Sequence, residues 1–145
     1  MNDLINKKHN LFKKILIANR GEIALRILRA CKELGVSTVA LYTSLDSNCL
    51  AVKFADEAYH VADYLDGKEI INIAKKSGCD AIHPGYGFLS ENFEFACLCD
   101  ENEIRFIGPN SGVLKLVSDK VETKILMEQL GFPIIISSNG HIKDY

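Results

Sequence analysis

No apolar run in this sequence approaches the roughly 20 residues that a membrane-spanning helix needs. Neither sign of charge is in excess: 17 Lys and Arg stand against 19 Asp and Glu, a net charge of -2. Nothing in that balance points to nucleic acid or to an anionic membrane as a partner. Met1 to Phe12 holds neither the apolar stretch of a secretory signal nor any arginine, and Asp3 is acidic, so residues 1–12 read as a frayed tail. The five cysteines, Cys31, Cys49, Cys79, Cys97 and Cys99, are odd in number and share no repeated spacing. Cys97 and Cys99 are the one close pair, would point to different faces of a helix, and have no second pair to complete a zinc site. No metal ligand set is expected, and the cysteine pattern suits a reducing, cytoplasmic compartment. Internal repeats and low-complexity stretches are absent too. What is present, 48% apolar and 25% charged residues in 145, is the profile of one globular domain able to bury a core.

Strand-like and helix-like segments alternate along the chain. Lys14 to Ala18 is a nearly continuous apolar run, as in strands buried on both faces of a parallel sheet. Asn19-Arg20-Gly21 breaks it. Glu22 to Leu34 then has helical periodicity, with Ile23, Ile27, Ala30 and Leu34 on one face and Gly35 as the stop. Thr38–Tyr42 is a second strand, Thr43–Asn48 a loop, Leu50–Phe54 a short helical turn, and Glu57–Val61 a weaker strand. Lys68–Lys76 is helical, Asp80–His83 a strand stopped by Pro84, Glu91–Asn102 helical, and Arg105–Ile107 a strand. Helical stretches follow at Val113–Val117 and Lys120–Leu130, and Gly131–Tyr145 reads as a linker or an unfinished element. The order predicts an α/β fold: a Rossmann-like parallel sheet with helices on both faces, over residues 13–117. Residues 118–145 then begin a linker or a further region.

Four segments carry chemistry or its bland alternative. Ala18-Asn-Arg-Gly-Glu-Ile23 sits where a dinucleotide fold would place G-x-G-x-x-G, yet it supplies only Gly21. The turn reads either as an anion site at exposed helix N–H groups or as a tight turn in which Glu22 complements the dipole. Glu22, Arg26, Arg29 and Glu33 fall on one line of the first helix. They read as a solvated face with i,i+4 pairs or as a self-complementary dimer contact. His83-Pro-Gly-Tyr-Gly-Phe-Leu-Ser-Glu-Asn92 begins at the C-terminal end of a strand, where open α/β sheets build sites. It reads either as a ligand-lining loop around Tyr86 or as a connection with Tyr86 and Phe88 packed as core. Ser90 is the expected cap, with Glu91 in the first turn of the helix, and His83 reads as structural. In Ser118-Asp-Lys120, Ser118 or Asp119 caps the last helix. Lys120, against the dipole there, either is solvated or faces a phosphate.

Lys14 to Gly35 resembles the opening of biotin carboxylases, including the biotin carboxylase parts of acetyl-CoA, propionyl-CoA and pyruvate carboxylases. Ala81 to Asn92 is similar to a second motif of that family, and Phe106-Ile-Gly-Pro109 and Asp119-Lys-Val121 continue in its order. The resemblance spans residues 13 to about 140. It implies a pre-ATP-grasp N-terminal domain of a ligase that uses ATP, Mg²⁺ and bicarbonate to make carboxyphosphate and to carboxylate biotin on a carrier protein. It implies that Lys120 contacts ATP phosphates and that Tyr86, Gly87 and Glu91 wall the pocket where biotin and the carboxyl group meet. It also places Arg29 and Glu33 at a homodimer interface. The implied partners are the ATP-grasp and C-terminal domains and the biotin carboxyl carrier protein. The sequence departs from the family twice. The stretch between Val61 and Tyr64 is shorter than the family's loop, and the Gly-rich ATP loop, metal-binding glutamates and catalytic arginines lie outside the 145 residues. No complete catalytic set, and no tightly bound cofactor, is therefore expected of this piece alone.

Overall fold

The computed structural model describes residues 12–135. Most of the expected tail, and the end of the expected linker from residue 136, lie outside them. Phe12, assigned to the tail, packs half-buried against the core. Five strands form the sheet: β1 (Lys14–Ile17), β2 (Ser37–Tyr42), β3 (Glu57–His60), β4 (Ala81–His83) and β5 (Arg105–Phe106). The helices are α1 (Gly21–Leu34), α2 (Leu50–Phe54), α3 (Gly67–Ser77), α4 (Phe93–Glu101), α5 (Ser111–Ser118) and α6 (Lys120–Gln129). All strand pairs are parallel, in the order β3-β2-β1-β4-β5. The fold expected from the alternation is the one observed. The two outer strands fall one residue short of expectation, although the Val61 N–H still bonds to the Tyr42 carbonyl and the Ile107 N–H to that of Ile82.

Strand β1 shows how the apolar run builds the core. Leu16 and Ala18 face a cluster made with Ile70, Ala74, Phe95 and Cys99 of α3 and α4. Ile15 and Ile17 face the opposite cluster, with Ala24, Ile27, Leu28 and Cys31 of α1. Side chains alternate across a strand, so a run apolar at every position demands cover on both faces. The buried face of α1 is not the expected one. Ala24, Ile27, Leu28 and Cys31 are buried, whereas Leu34 is 63% exposed. Small Ala24 and Cys31 let the helix sit close to the sheet, and Ile23, Ala30 and Leu34 are turned onto its flank. At the far end, α6 contains no buried residue.

The strand order reverses between β1 and β4. Ligands of open α/β sheets bind beyond the strand carboxyl ends at such a point. Here it holds the β1–α1 turn and the loop after β4.

Candidate functional site

The ladder between β1 and β4 is extended past the strands by the Ala18 N–H, which bonds to the His83 carbonyl at 2.9 Å. The next residue, Asn19, is 2% exposed. Its Nδ2 donates to the carbonyls of Pro84 at 2.7 Å and Tyr86 at 2.9 Å, and its Oδ1 accepts the Arg20 N–H at 2.9 Å. The buried amide thus ties the β1–α1 turn to the loop after β4 at the switch point. The first helical turn begins at Gly21 with no side-chain cap from Arg20.

The loop after β4 folds back on itself. The Gly85 N–H donates to His83 Nδ1 at 3.0 Å, and burial lowers the His83 pKa below its ordinary value. The ring is therefore neutral near pH 7, with Nδ1 accepting and the proton on Nε2. Gly85 and Gly87 have φ of 69° and 65°, and Phe88 follows at 47°. Left-handed geometry costs a side-chain-bearing residue roughly 1–2 kcal/mol. It persists at Phe88 because its ring packs at 5.4 Å, centroid to centroid, on buried Tyr64. Tyr64 donates to Asp46 Oδ2 at 2.8 Å, and Arg20 approaches the same carboxylate at 3.6 Å. Burial pushes the Asp46 carboxyl up, but bonds from Thr43 and Tyr64, with Arg20 nearby, hold it below its usual value.

The result is a tethered loop that displays Tyr86. That side chain is 71% exposed, which overturns its reading as core; Phe88 is 44% exposed on the Tyr64 ring. Gly87 and Glu91 are exposed beside it in sequence. The expected cap at Ser90 is also corrected. Asn92 Oδ1 accepts the Phe95 N–H at 2.8 Å, so α4 starts at Phe93 and Glu91 precedes the helix. Ser90 instead closes the turn, its N–H bonding to the Gly87 carbonyl at 2.9 Å.

The remaining candidates lie elsewhere. Arg29 and Glu33 are exposed on α1 and, with Glu22 and Arg26, edge a hollow of about 380 Å³. Among the described residues the ion pairs within 4.0 Å are Lys14–Glu57 and Arg20–Asp46, so the stripe is not closed by its own i,i+4 pairs. Lys120 is the first residue of α6, exposed, and borders a separate hollow with Thr123, Lys124 and Met127. Asp119 caps that helix, accepting from the Val121 and Glu122 amides at 2.8 and 3.1 Å. Burial pushes up the thiols of Cys31, Cys79 and Cys99, the last to about 12 with help from Asp100. A raised thiol pKa makes a poor nucleophile at neutral pH.

A family model described as "Biotin carboxylase, N-terminal domain" matches residues 11–114. This chain belongs to the biotin carboxylase N-terminal domain family. It is 50% identical over 139 residues to the 2-oxoglutarate carboxylase small subunit of Hydrogenobacter thermophilus, covering 92% of this chain and 29% of that one. It is 46% identical over 140 residues to biotin carboxylase 1 of Bacillus subtilis, covering 92% and 31%. The Hydrogenobacter biotin carboxylase domain, solved as a dimer with MgADP, ADP and bicarbonate, superposes with a TM-score of 0.89 at 50% identity, covering 92% of this chain and 30% of that one. The chain thus spans under a third of the length of these biotin carboxylase relatives. Sequence reasoning singled out Tyr86, Gly87 and Glu91, but not Asn19, Asp46 or Tyr64, which hold their loop. A polar residue in a strand-to-helix turn reads as a turn former, and only the fold shows that Asn19 is buried.

Proposed function

We propose that this chain is the N-terminal domain of a biotin carboxylase whose complete form uses ATP and bicarbonate to carboxylate biotin on a carrier protein. One observation carries the reading: over 92% of its length the chain is 50% identical to the biotin carboxylase domain of the Hydrogenobacter 2-oxoglutarate carboxylase. Tyr86, Gly87 and Glu91 form one wall of the biotin pocket. The exposed phenol ring offers a flat apolar face with a polar tip. Nothing lies within 4 Å of where a Gly87 side chain would begin, so a ligand can approach the backbone there. These groups orient a substrate.

Lys120 is the residue that would face the ATP phosphates, as a point charge. When bound, ATP would supply the phosphoryl group that activates bicarbonate, and Mg²⁺ would offset the phosphate charge. Among the described residues there is no group of three His, Cys, Asp or Glu that could hold a metal ion. Phosphoryl transfer works chiefly by surrounding phosphate with positioned cations, and one lysine does not achieve that. On this reading the 145 residues are inactive alone. Mixing the chain with the ATP-grasp and C-terminal part of a biotin carboxylase should restore bicarbonate-dependent ATP cleavage with free biotin. If the mixture stays silent while an uninterrupted chain works, the reading fails.

The unpaired stripe on α1 favours a second reading, in which the chain binds an intact carboxylase subunit through Arg29 and Glu33 without catalysis. Reversing both charges in this chain alone should abolish co-sedimentation with that subunit. Unchanged co-sedimentation would exclude this face.

A further inference from the structure

We infer that Asn19 is the positioning residue of the Tyr86 wall, a role that rests on the biotin carboxylase reading above. The site described so far consists of residues a substrate could touch. Asn19 touches none, being 2% exposed beneath the loop. Yet its one amide group joins three backbone positions. Two bonds from Nδ2 fix the carbonyls on either side of Gly85, and the bond to Oδ1 fixes the start of α1. The loop needs such a hold. Gly85, Gly87 and Phe88 all have positive φ, a run that has no regular ladder to support it. The second tether, Phe88 on Tyr64, lies on the other side of Tyr86 in sequence. Tyr86 is therefore held between a polar clamp and an aromatic one, while its ring stays in solvent.

The fit between clamp and loop is close. A Cβ on Gly85 would lie 2.7 Å from Asn19 Nδ2 and 2.7 Å from Ile23 Cγ2. The glycine thus makes room for the asparagine as much as for the turn. Residue type matters as well. Both bonds to the loop are donated to carbonyls, while the bond to the Arg20 amide is accepted. Among side chains of this size, only an amide donates two bonds and accepts a third at once.

Asn19→Asp is the selective change. It keeps an acceptor for the Arg20 N–H and puts an oxygen against two carbonyls. Asn19→Ala removes all three bonds. Amide exchange in the 145-residue chain reads the loop directly. The Gly85 and Ser90 amides, bonded within the loop, should exchange about tenfold faster or more in both variants, while Leu16 and Ile82 stay protected. In the enzyme completed with its ATP-grasp and C-terminal part, both variants should raise KM for biotin about tenfold with KM for ATP unchanged. A merely structural residue would lower the active fraction and leave both KM values alone. Tyr86→Ala is the control for the underlying reading. If Tyr86→Ala leaves the biotin KM unchanged, the biotin-wall reading falls, and the role of Asn19 with it. If Tyr86→Ala raises it and the Asn19 variants do not, the reading stands and the inference is overturned. A completed enzyme without activity likewise sinks both. Should the variants not fold, the wild type still decides: a rapidly exchanging Asn19 side-chain amide in its NMR spectrum overturns the clamp.

Discussion

His83 couples the loop to pH. Burial lowers its pKa from 6.5, so the folded chain binds fewer protons than the unfolded one just below that value. Its contribution is complete above about pH 6.5 and is lost as pH falls toward the folded-state pKa. Asp46 and Asp56 have lowered pKa values, and their contribution fades only as pH falls below about 4. The melting temperature of the wild type should therefore drop between pH 7 and 5, before the carboxylates matter. His83→Asn retains an acceptor for the Gly85 N–H and removes the titration. Melts across that range should be flatter for this variant, and an equal slope would rule His83 out. The two glycines separate space from backbone strain. Gly87→Ala meets nothing within 4 Å and pays only for a φ of 65°, about 1 kcal/mol. Gly85→Ala adds the collision with Asn19 and Ile23, so it should cost at least about 2 kcal/mol in denaturant titrations.

At the scale of elements, α1 divides its labour between two surfaces. One side packs Ala24, Leu28 and Cys31 on the sheet, and the other carries Arg29 and Glu33. If Arg29 of one copy meets Glu33 of another, Arg29→Glu alone puts like charges together, and self-association should weaken by about tenfold or more. Adding Glu33→Arg restores opposite signs at both symmetry-related contacts and should recover it. Sedimentation velocity over a concentration series reads both, and a double variant no better than the single would break that pairing. The presence of α1 was legible because its apolar residues recur at helical spacing and Gly35 ends it. Its buried face was not, because that depends on how closely a helix approaches a sheet. β1 was legible from its continuous apolar run, and the parallel order from the alternation of elements. The start of α4 was misplaced because Ser90 and Asn92 are both good caps, and the choice rests on the turn closed at Gly87. For Tyr86 the residues left two readings open, a ligand-lining loop and a packed connection, and the 71% exposure of its side chain decides against the second.

The described residues comprise a sheet with a core on each face and, after it, a helix without a buried residue. The clusters on both faces of the sheet draw on β1 to β5 and α1 to α4, and α5 adds Leu114, 4% exposed. Beyond Leu114 the character changes. Leu116, Val117, Ile125, Leu130, Phe132 and Ile135 are 41–89% exposed, and no residue of α6 is fully buried. Stability follows apolar area removed from water, so these residues contribute little to holding the sheet together. The Lys120 region and the Tyr86 region should therefore separate thermodynamically. Ending the chain after Asp119 should leave the unfolding free energy within about 1 kcal/mol of the full 145 residues. Leu114→Ala, a short way before that cut, should cost about 3 kcal/mol, because a buried leucine leaves a cavity the surrounding helices cannot close. Urea titrations of the two proteins decide the matter. A truncation as damaging as the cavity would show that α6 belongs to the core. A silent truncation would leave Tyr86 on a self-sufficient scaffold, with Lys120 on an extension whose fixed position depends on contacts outside the sheet domain.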